Sequence, residues 1–223
     1  MSPTQHYDVI IIGAGAAGLM CAMTAAQRGR SVMVLDHANK VGKKILMSGG
    51  GRCNFTNLYA SHENYISSNP HFCKSALNRF TPYDFLGLVE KHAIEYVDKD
   101  EGQLFCENKA NDILQMLLTE CSTAGVKIKT RCSIIEIKKD KQFELKTSDG
   151  KFAAESLVIA TGGLSIPTLG ATGFGYEIAR QFTLNVLAHR AALVPFTLQK
   201  PLLEKLADLS GLSVDVPVTF HHL

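Results

Sequence analysis

Apolar residues along this chain fall into two patterns. Val9–Ile12, the Val32–Leu35 part of Ser31–Leu35, and Leu157–Ala160 are short continuous runs, the first two rich in β-branched residues. Such runs suit strands buried on both faces of a parallel sheet. Elsewhere the apolar positions are spaced. Ala110, Ile113, Leu114, Leu117, Leu118 and Cys121 keep helical spacing, and Gly125 stops that helix; a core-facing stripe explains them without any function. Pro70–Phe80 and Pro82–Ala93 read as two helices, the second capped by Thr81 with Asp84 in its first turn. Ile94–Val97 and Gln103–Cys106 pair as a hairpin. Strands at Val126–Thr130, Ser133–Ile137, Phe143–Thr147 and Phe152–Ala154, with a turn at Asp149-Gly150, form a meander that breaks the α/β alternation as a small β insert would.

The first pattern switch carries chemistry. After the strand Val9–Ile12 comes Gly13-Ala14-Gly15-Ala16-Ala17-Gly18, which fits G-x-G-x-x-G, and then a helix with small residues at Ala22, Ala25 and Ala26 that ends at Arg28-Gly29. The next strand delivers Asp36, eighteen residues after Gly18. In such a β-α-β unit the first glycine permits the tight turn, the second lets backbone approach a pyrophosphate, and the third lets the helix pack on the strand. The helix start offers unpaired N–H groups to phosphate. Asp36 is placed to accept hydrogen bonds from ribose hydroxyls, and its charge disfavours a 2′-phosphate. The strand, helix and acid together make this a dinucleotide-binding unit, with FAD and NAD both open at this point.

Composition narrows the class by exclusion. A net charge of +2 leaves no electrostatic footprint for nucleic acid, and Lys138–Lys141 reads as a solvated strand end. Val9–Ala26 carries no charge, yet three glycines interrupt it and no Lys or Arg precedes it, so it reads as neither a signal peptide nor a membrane span. Six scattered cysteines without C-x-x-C spacing point away from a zinc ribbon or disulfide framework and toward a reducing cytoplasm. No metal site is expected.

Residues 43–57, KKILMSGGGRCNFTN, invite three readings: a phosphate cradle, a redox site at Cys53, or a flexible loop. A Walker A loop needs its Lys after the glycines, and here Lys43 and Lys44 precede them. A flexible linker would be flanked by polar residues rather than by Ile45-Leu46-Met47. Cys53 lacks the paired cysteine of disulfide-exchanging flavoenzymes and reads as a small packing residue. Thr161-Gly162-Gly163, ending the strand Leu157–Ala160, allows a second close backbone approach to a ligand.

Together, GAGAAGL at 13–19, the 43–57 string, ATGG at 160–163 with Ser165 and Pro167, and LVPF at 193–196 resemble the YhiN/BaiN-type family of FAD-dependent oxidoreductases. The resemblance covers essentially the whole chain. It implies an α/β, Rossmann-like FAD-binding domain of the glutathione reductase type over 1–190, with the small β meander, and the start of an inserted β-rich domain over 191–223. It implies cofactor contacts from Gly13, Ala14, Gly15, Ala16, Ala17, Gly18, Asp36, His37 and Lys44. From the glycine string it implies Ser48, Gly49, Gly50, Gly51, Arg52, Cys53 and Asn54, and further along Ile134, Gly162 and Gly163. The string would then be a backbone nest for the cofactor, with Arg52 bonding phosphate, approaching the flavin, or bracing the loop through a salt bridge.

The function so implied is hydride or electron transfer between FAD and a small organic substrate, such as an unsaturated carbonyl compound or an amine, with NAD(P)H a candidate donor. No acid–base side chain stands out. Members of the family run well past residue 223, so a C-terminal portion or a partner chain is expected to complete the fold, and an unfinished sheet leaves an open edge. The alternative is a non-catalytic dinucleotide-binding module or truncated remnant. The string at 48–54 disfavours an NAD-only dehydrogenase.

Overall fold

The computed structural model describes residues 3–166, 170–190 and 197–209, together with Pro217 and Thr219. The chain divides into two compact units, 1–184 and 185–223. The first contains a six-stranded mixed sheet and a smaller three-stranded one.

The large sheet is built outward from β1 (Gln5–Ile12). Helix α1 (Ala16–Gln27) returns the chain to β2 (Val32–Leu35), which pairs with β1 in parallel, Ile10 opposite Met33 and Ile12 opposite Leu35. Beyond β2 lies β6 (Lys127–Lys129), also parallel. On the other side of β1 lies β9 (Gly150–Ile159), parallel to it, and then β8 (Phe143–Thr147) and β7 (Ile134–Lys139), both antiparallel. The alternation of side chains on β1 sends Ile11 to one face of the sheet and Ile10 and Ile12 to the other. Ile11 joins Leu19 and Ala22 of α1 and Leu114 and Leu117 of α5 (Asn111–Thr123). Ile10 and Ile12 join Phe152, Leu145 and Ile178, the last from α6 (Phe174–Gln181).

The meander is therefore part of the main sheet. The two expected strands Phe152–Ala154 and Leu157–Ala160 are one continuous ten-residue strand: its first half pairs with β8, and residues 152–159 run beside β1. Exposed Glu155 and Ser156 interrupt the apolar run without interrupting the strand.

The small sheet has the order β3-β5-β4: β3 (Asn54–Asn57), β5 (Gln103–Cys106) and β4 (Tyr96–Lys99), all antiparallel. The expected hairpin is β4–β5. Its partner β3, a polar edge strand, has no apolar alternation to announce it. The first expected helix shortens to α3 (Lys74–Arg79), and the second is α4 (Pro82–Lys91), with the Thr81–Asp84 capping box in place. Short helix α2 (Lys43–Met47) precedes a 3-10 turn at Ser48–Gly51.

Glu120 of α5, 6% exposed, accepts hydrogen bonds from Lys91 Nζ (2.7 Å), His92 Nε2 (2.6 Å) and Gln27 Nε2 (3.2 Å). It ties α5 to both α4 and α1, and Lys91 and His92 hold its carboxyl below the ordinary glutamate value.

In the second unit, residues 200–206 form α7 (Lys200–Leu206), followed by a 3-10 turn at Ala207–Leu209. The LVPF string at 193–196 and Pro167 lie outside the described residues, as does the part of the expected inserted domain beyond Leu209 apart from Pro217 and Thr219.

Candidate dinucleotide site

The chain builds β2 on one side of β1 and β9 on the other, so a crevice opens where their carboxyl ends diverge. Two backbone bonds hold those ends together: Gly13 N–H donates to Leu35 O (2.8 Å) and Ala160 N–H to Ile12 O (2.8 Å). A cavity of about 800 Å³ lies at this point, within the roughly 300–1,000 Å³ range of cofactor and ligand sites. Its walls include Gly13–Ala17, Asp36, His37, Lys44, Ser48, Cys53, Asn54 and Gly162. Most of the expected cofactor contacts are thereby gathered around one space.

The three fingerprint glycines meet three different demands. A Cβ on Gly13 would lie 2.4 Å from Ala160 O, on a backbone with φ of +110°. One on Gly18 would lie 1.8 Å from Gly13 O, because α1 presses directly on the turn. Gly15 is unlike both. Its φ is an ordinary −89°, and no protein atom lies within 4 Å of its would-be Cβ. Neither conformation nor packing asks for glycine there. Gly15 is also the N-cap of α1, which has no side-chain cap and no acid in its first turn, so the positive end of the helix opens onto the cavity.

Asp36 sits at the same turn and does structural work on it. Its Oδ2 accepts from Ala14 N–H and its Oδ1 from Ala38 N–H, both at 2.7 Å, and His37 Nδ1 lies 3.8 Å from Oδ1. The carboxylate braces the glycine turn, and each oxygen keeps a further lone pair for a sugar hydroxyl.

The second glycine string is placed differently. Ser48 Oγ donates to Ile45 O (2.7 Å), closing the end of α2. Gly49, Gly50 and Gly51 follow with φ of +55°, +63° and +87°, and none of them is on the cavity wall. Left-handed backbone of this kind favours glycine whatever the turn holds, although Cys53 close by adopts it too, at φ +52°. Arg52 is exposed, and its side chain makes no hydrogen bond or ion pair among the described residues. Its carbonyl accepts from Cys106 N–H (2.9 Å), anchoring the string to the small sheet. Cys53 is buried, which pushes its thiol pKa up and leaves it a poor nucleophile. Asn54 Nδ2 donates to Gln103 Oε1 across the small sheet (3.3 Å).

Lys44 Nζ reaches across to the β9 end, donating to Ser165 Oγ (3.1 Å) and Gly163 O (3.5 Å), and so joins the two loops that face each other over the cavity. Gly163 meets the site through that bond. Ile134 is half-buried at the start of β7, opposite Thr147, and is not on the cavity wall.

Several wall residues were not foreseen. Lys40 and Lys43 join Lys44 on the wall, so three lysines line the space against one carboxylate, Asp36, whose oxygens are already engaged. This balance favours an anion such as a diphosphate. Phe55, Phe85 and Ile113 make an apolar end suited to a flat ring. The basic spacing Lys40-Lys43-Lys44 was a usable signal. The apolar wall comes from three distant elements and had none. Among the described residues no three His, Cys, Asp or Glu side chains gather as metal ligands, and no helix is long and apolar enough to cross a membrane.

The fold and the crevice define a Rossmann-type protein of the FAD-binding class. The chain belongs to the family described as HI0933-like protein Rossmann domain, which matches residues 7–198, and this is the YhiN/BaiN-type family of flavoprotein oxidoreductases. It is 54% identical to the ribosomal RNA dihydrouridine synthase of Escherichia coli K12, over 96% of this chain and 54% of that protein. It is 31% identical to the 3-dehydro-bile acid delta(4,6)-reductase of Clostridium scindens, over 93% of this chain and 51% of that protein. The chain thus spans about half the length of the curated relatives it matches. Among solved structures, the open form of a flavocytochrome c3 fumarate reductase superposes with a TM-score of 0.56 at 16% identity, covering 81% of this chain and 41% of that one. This likeness is one of fold.

Proposed function

We propose that this chain holds FAD and forms the cofactor-binding part of an oxidoreductase that saturates a carbon–carbon double bond conjugated to a carbonyl. The observation that carries the dinucleotide assignment is Gly15: a glycine at an open helix N-terminus, on a cavity wall with three lysines, where no protein atom requires it; the flavoprotein family supports FAD over NAD. A phosphate there explains the missing side chain. FAD, when bound, supplies the hydride chemistry. The chain's own residues bind and orient: the α1 start and the lysines hold the diphosphate, Asp36 meets the ribose, and the apolar end excludes water from a ring. NAD(P)H is the proposed source of electrons.

The substrate class rests on what the two relatives' names have in common. Dihydrouridine is the product of saturating the uracil C5=C6 bond, which is conjugated to the C4 carbonyl. Saturating the delta(4) bond of a 3-oxo steroid is the same change, hydride to the carbon β to a carbonyl and a proton to its neighbour, and the delta(6) bond is its vinylogue, with hydride to the δ carbon. The greater identity to the first relative favours a uridine in RNA as the substrate. This departs from the expectation drawn from net charge, which excludes only a large electrostatic footprint. A non-catalytic dinucleotide-binding module is the second reading, because the open α1 start at Gly15 asks only for a phosphate.

The test has two stages. FAD titrated into purified protein should give a bound-flavin absorbance near ~450 nm, and failure to bind FAD overturns the proposal. The chemically reduced, anaerobic complex is then offered oligouridylate or a steroid enone. Reoxidation by oligouridylate supports the uridine reading, reoxidation by the enone alone replaces it, and reoxidation by neither supports the module.

A further inference from the structure

Among the described residues, every exposed Phe and Tyr lies between Tyr59 and Tyr83. Tyr59 is 71% exposed, Tyr65 52%, Phe72 80% and Tyr83 63%, and Ile66 stands fully in solvent beside them. Aromatic side chains elsewhere in the described fold are buried or half-buried. The stretch connects β3 to α4 and holds only a 3-10 turn at His62–Asn64 and the six-residue α3. A connection this long in a compact domain is commonly a binding element.

Both ends of the connection are pinned at the cavity. Phe55, on β3, and Phe85, on α4, line its apolar end, and their ring centroids are 6.0 Å apart. The exposed rings are therefore carried on an excursion that leaves and re-enters the fold at the cavity wall. Its charge is one-sided: residues 58–83 contain Lys74 and Arg79, with His62 and His71, against the single acid Glu63.

We propose that residues 58–83 form the surface that receives single-stranded RNA, its unstacked bases lying on Tyr59, Tyr65, Phe72 and Tyr83 and its phosphates near Lys74 and Arg79. The inference rests on the uridine reading above and adds to it the element that recognises the polymer. Single strands are held by base–aromatic stacking with modest charge, so a chain of nearly neutral net charge meets the requirement that duplex binding would not. A uridine to be reduced must leave its stack, and rings on a connection whose two ends lie at the cavity wall supply alternative stacking partners.

Fluorescence anisotropy of a short labelled oligouridylate on the FAD-loaded chain tests this. Stacking losses predict roughly tenfold weaker binding per ring removed, so about a hundredfold for Tyr65→Ala/Phe72→Ala together. Tyr65→Phe/Phe72→Tyr should bind as the parent does. Lys74→Gln/Arg79→Gln should flatten the dependence of affinity on salt by about 1.4 in the log–log slope. A parent protein that prefers duplex RNA, or a ring-removal pair that binds oligouridylate unchanged, overturns the proposal. So does a ring-removal pair that converts a dimer to a monomer in sedimentation, because a second copy would then be the occupant. Flavin content separates the two readings: a flavin-loaded parent that ignores RNA sinks the surface alone, whereas a flavin-free parent sinks the cofactor assignment.

Discussion

The two glycine-rich loops of this protein look alike as strings and differ in why they need glycine. In Gly13–Gly18 the demand is mostly steric: two of the three glycines sit where backbone oxygens leave no room for a Cβ, and the third faces open space. In Gly49–Gly51 the demand is conformational, with three left-handed residues in succession, and only Gly49 is also crowded, by Asn54 N at 2.6 Å. The first loop is fixed between a buried strand and a twelve-residue helix and braced by Asp36. The second follows a five-residue helix and is mostly exposed. A glycine motif thus reports a ligand only where the protein's own atoms and angles fail to explain it. By that criterion Gly15 is the informative position.

Gly18→Ala should have the largest effect. Its Cβ would overlap Gly13 O, and α1 has no way to withdraw without leaving the sheet. A loss of about 3 kcal/mol or more in denaturant unfolding is expected. A folded variant of near-parental stability would show that the first loop is as compliant as the second.

Gly15→Val removes function with the fold intact. Stability should change by less than about 1 kcal/mol, because nothing crowds the position and its backbone is ordinary. FAD affinity should fall roughly a hundredfold or more, as charged hydrogen bonds to phosphate are lost. Retained FAD in a titration of this variant would remove the distinction between Gly15 and its neighbours.

Asp36→Ala sharpens the contrast in bracing. It leaves Ala14 N–H without its acceptor and costs roughly 1.5–3 kcal/mol, so it should lower both stability and FAD affinity, where Gly15→Val lowers only the second. Unchanged unfolding would assign Asp36 to the ribose alone.

How much of this was readable beforehand follows the same physics. The continuous runs at Val9–Ile12 and Val32–Leu35 announced buried parallel strands, and the steric glycines fell where the fingerprint requires them. Strand β9 reads as two in the sequence because Glu155 and Ser156 look like a break, although a strand that keeps β1 on one side and runs past the end of β8 on the other can expose two residues. Strand β3 was missed because Asn54-Phe55-Thr56-Asn57 has no apolar alternation. The apolar cavity wall joins Phe55, Phe85 and Ile113, which only tertiary packing brings together. Local pattern reports what a segment buries, and it is silent on which distant segments share a space.

Both loops lean on α5: α1 packs on it, and Gly42, at the entry to α2, approaches Leu114. Glu120→Gln tests that shared support. Because its partners depress the Glu120 pKa, its contribution is fully present above the unfolded value near 4.5 and is lost as pH falls through the lower folded value. The variant should be less stable at neutral pH by roughly 1.5–3 kcal/mol, with the gap to the parent closing below about pH 4.5. Lys91 is largely exposed, so the smaller end of that range is expected. A constant gap from pH 7 to pH 3 would mean that the carboxylate charge is not what holds α5.

The smallest effect should come from Gly50→Ala. No protein atom lies within 4 Å of the new methyl, so packing contributes nothing. What remains is the left-handed backbone, φ +63° and ψ +31°, which costs an L-residue about 1–2 kcal/mol. That strain falls on an exposed turn, which relaxes locally, so the global loss should be near the lower bound. Since Gly50 is off the cavity wall, FAD affinity should drop by no more than about tenfold, the effect of a shifted neighbour worth roughly 1.4 kcal/mol. Measuring unfolding and FAD titration on the same preparation distinguishes the outcomes. If Gly50→Ala loses its flavin as Gly15→Val does, the second loop contacts the cofactor through its backbone, and the two loops form one cradle despite their different geometry. If neither stability nor affinity changes, left-handed backbone is not what selects glycine at this position.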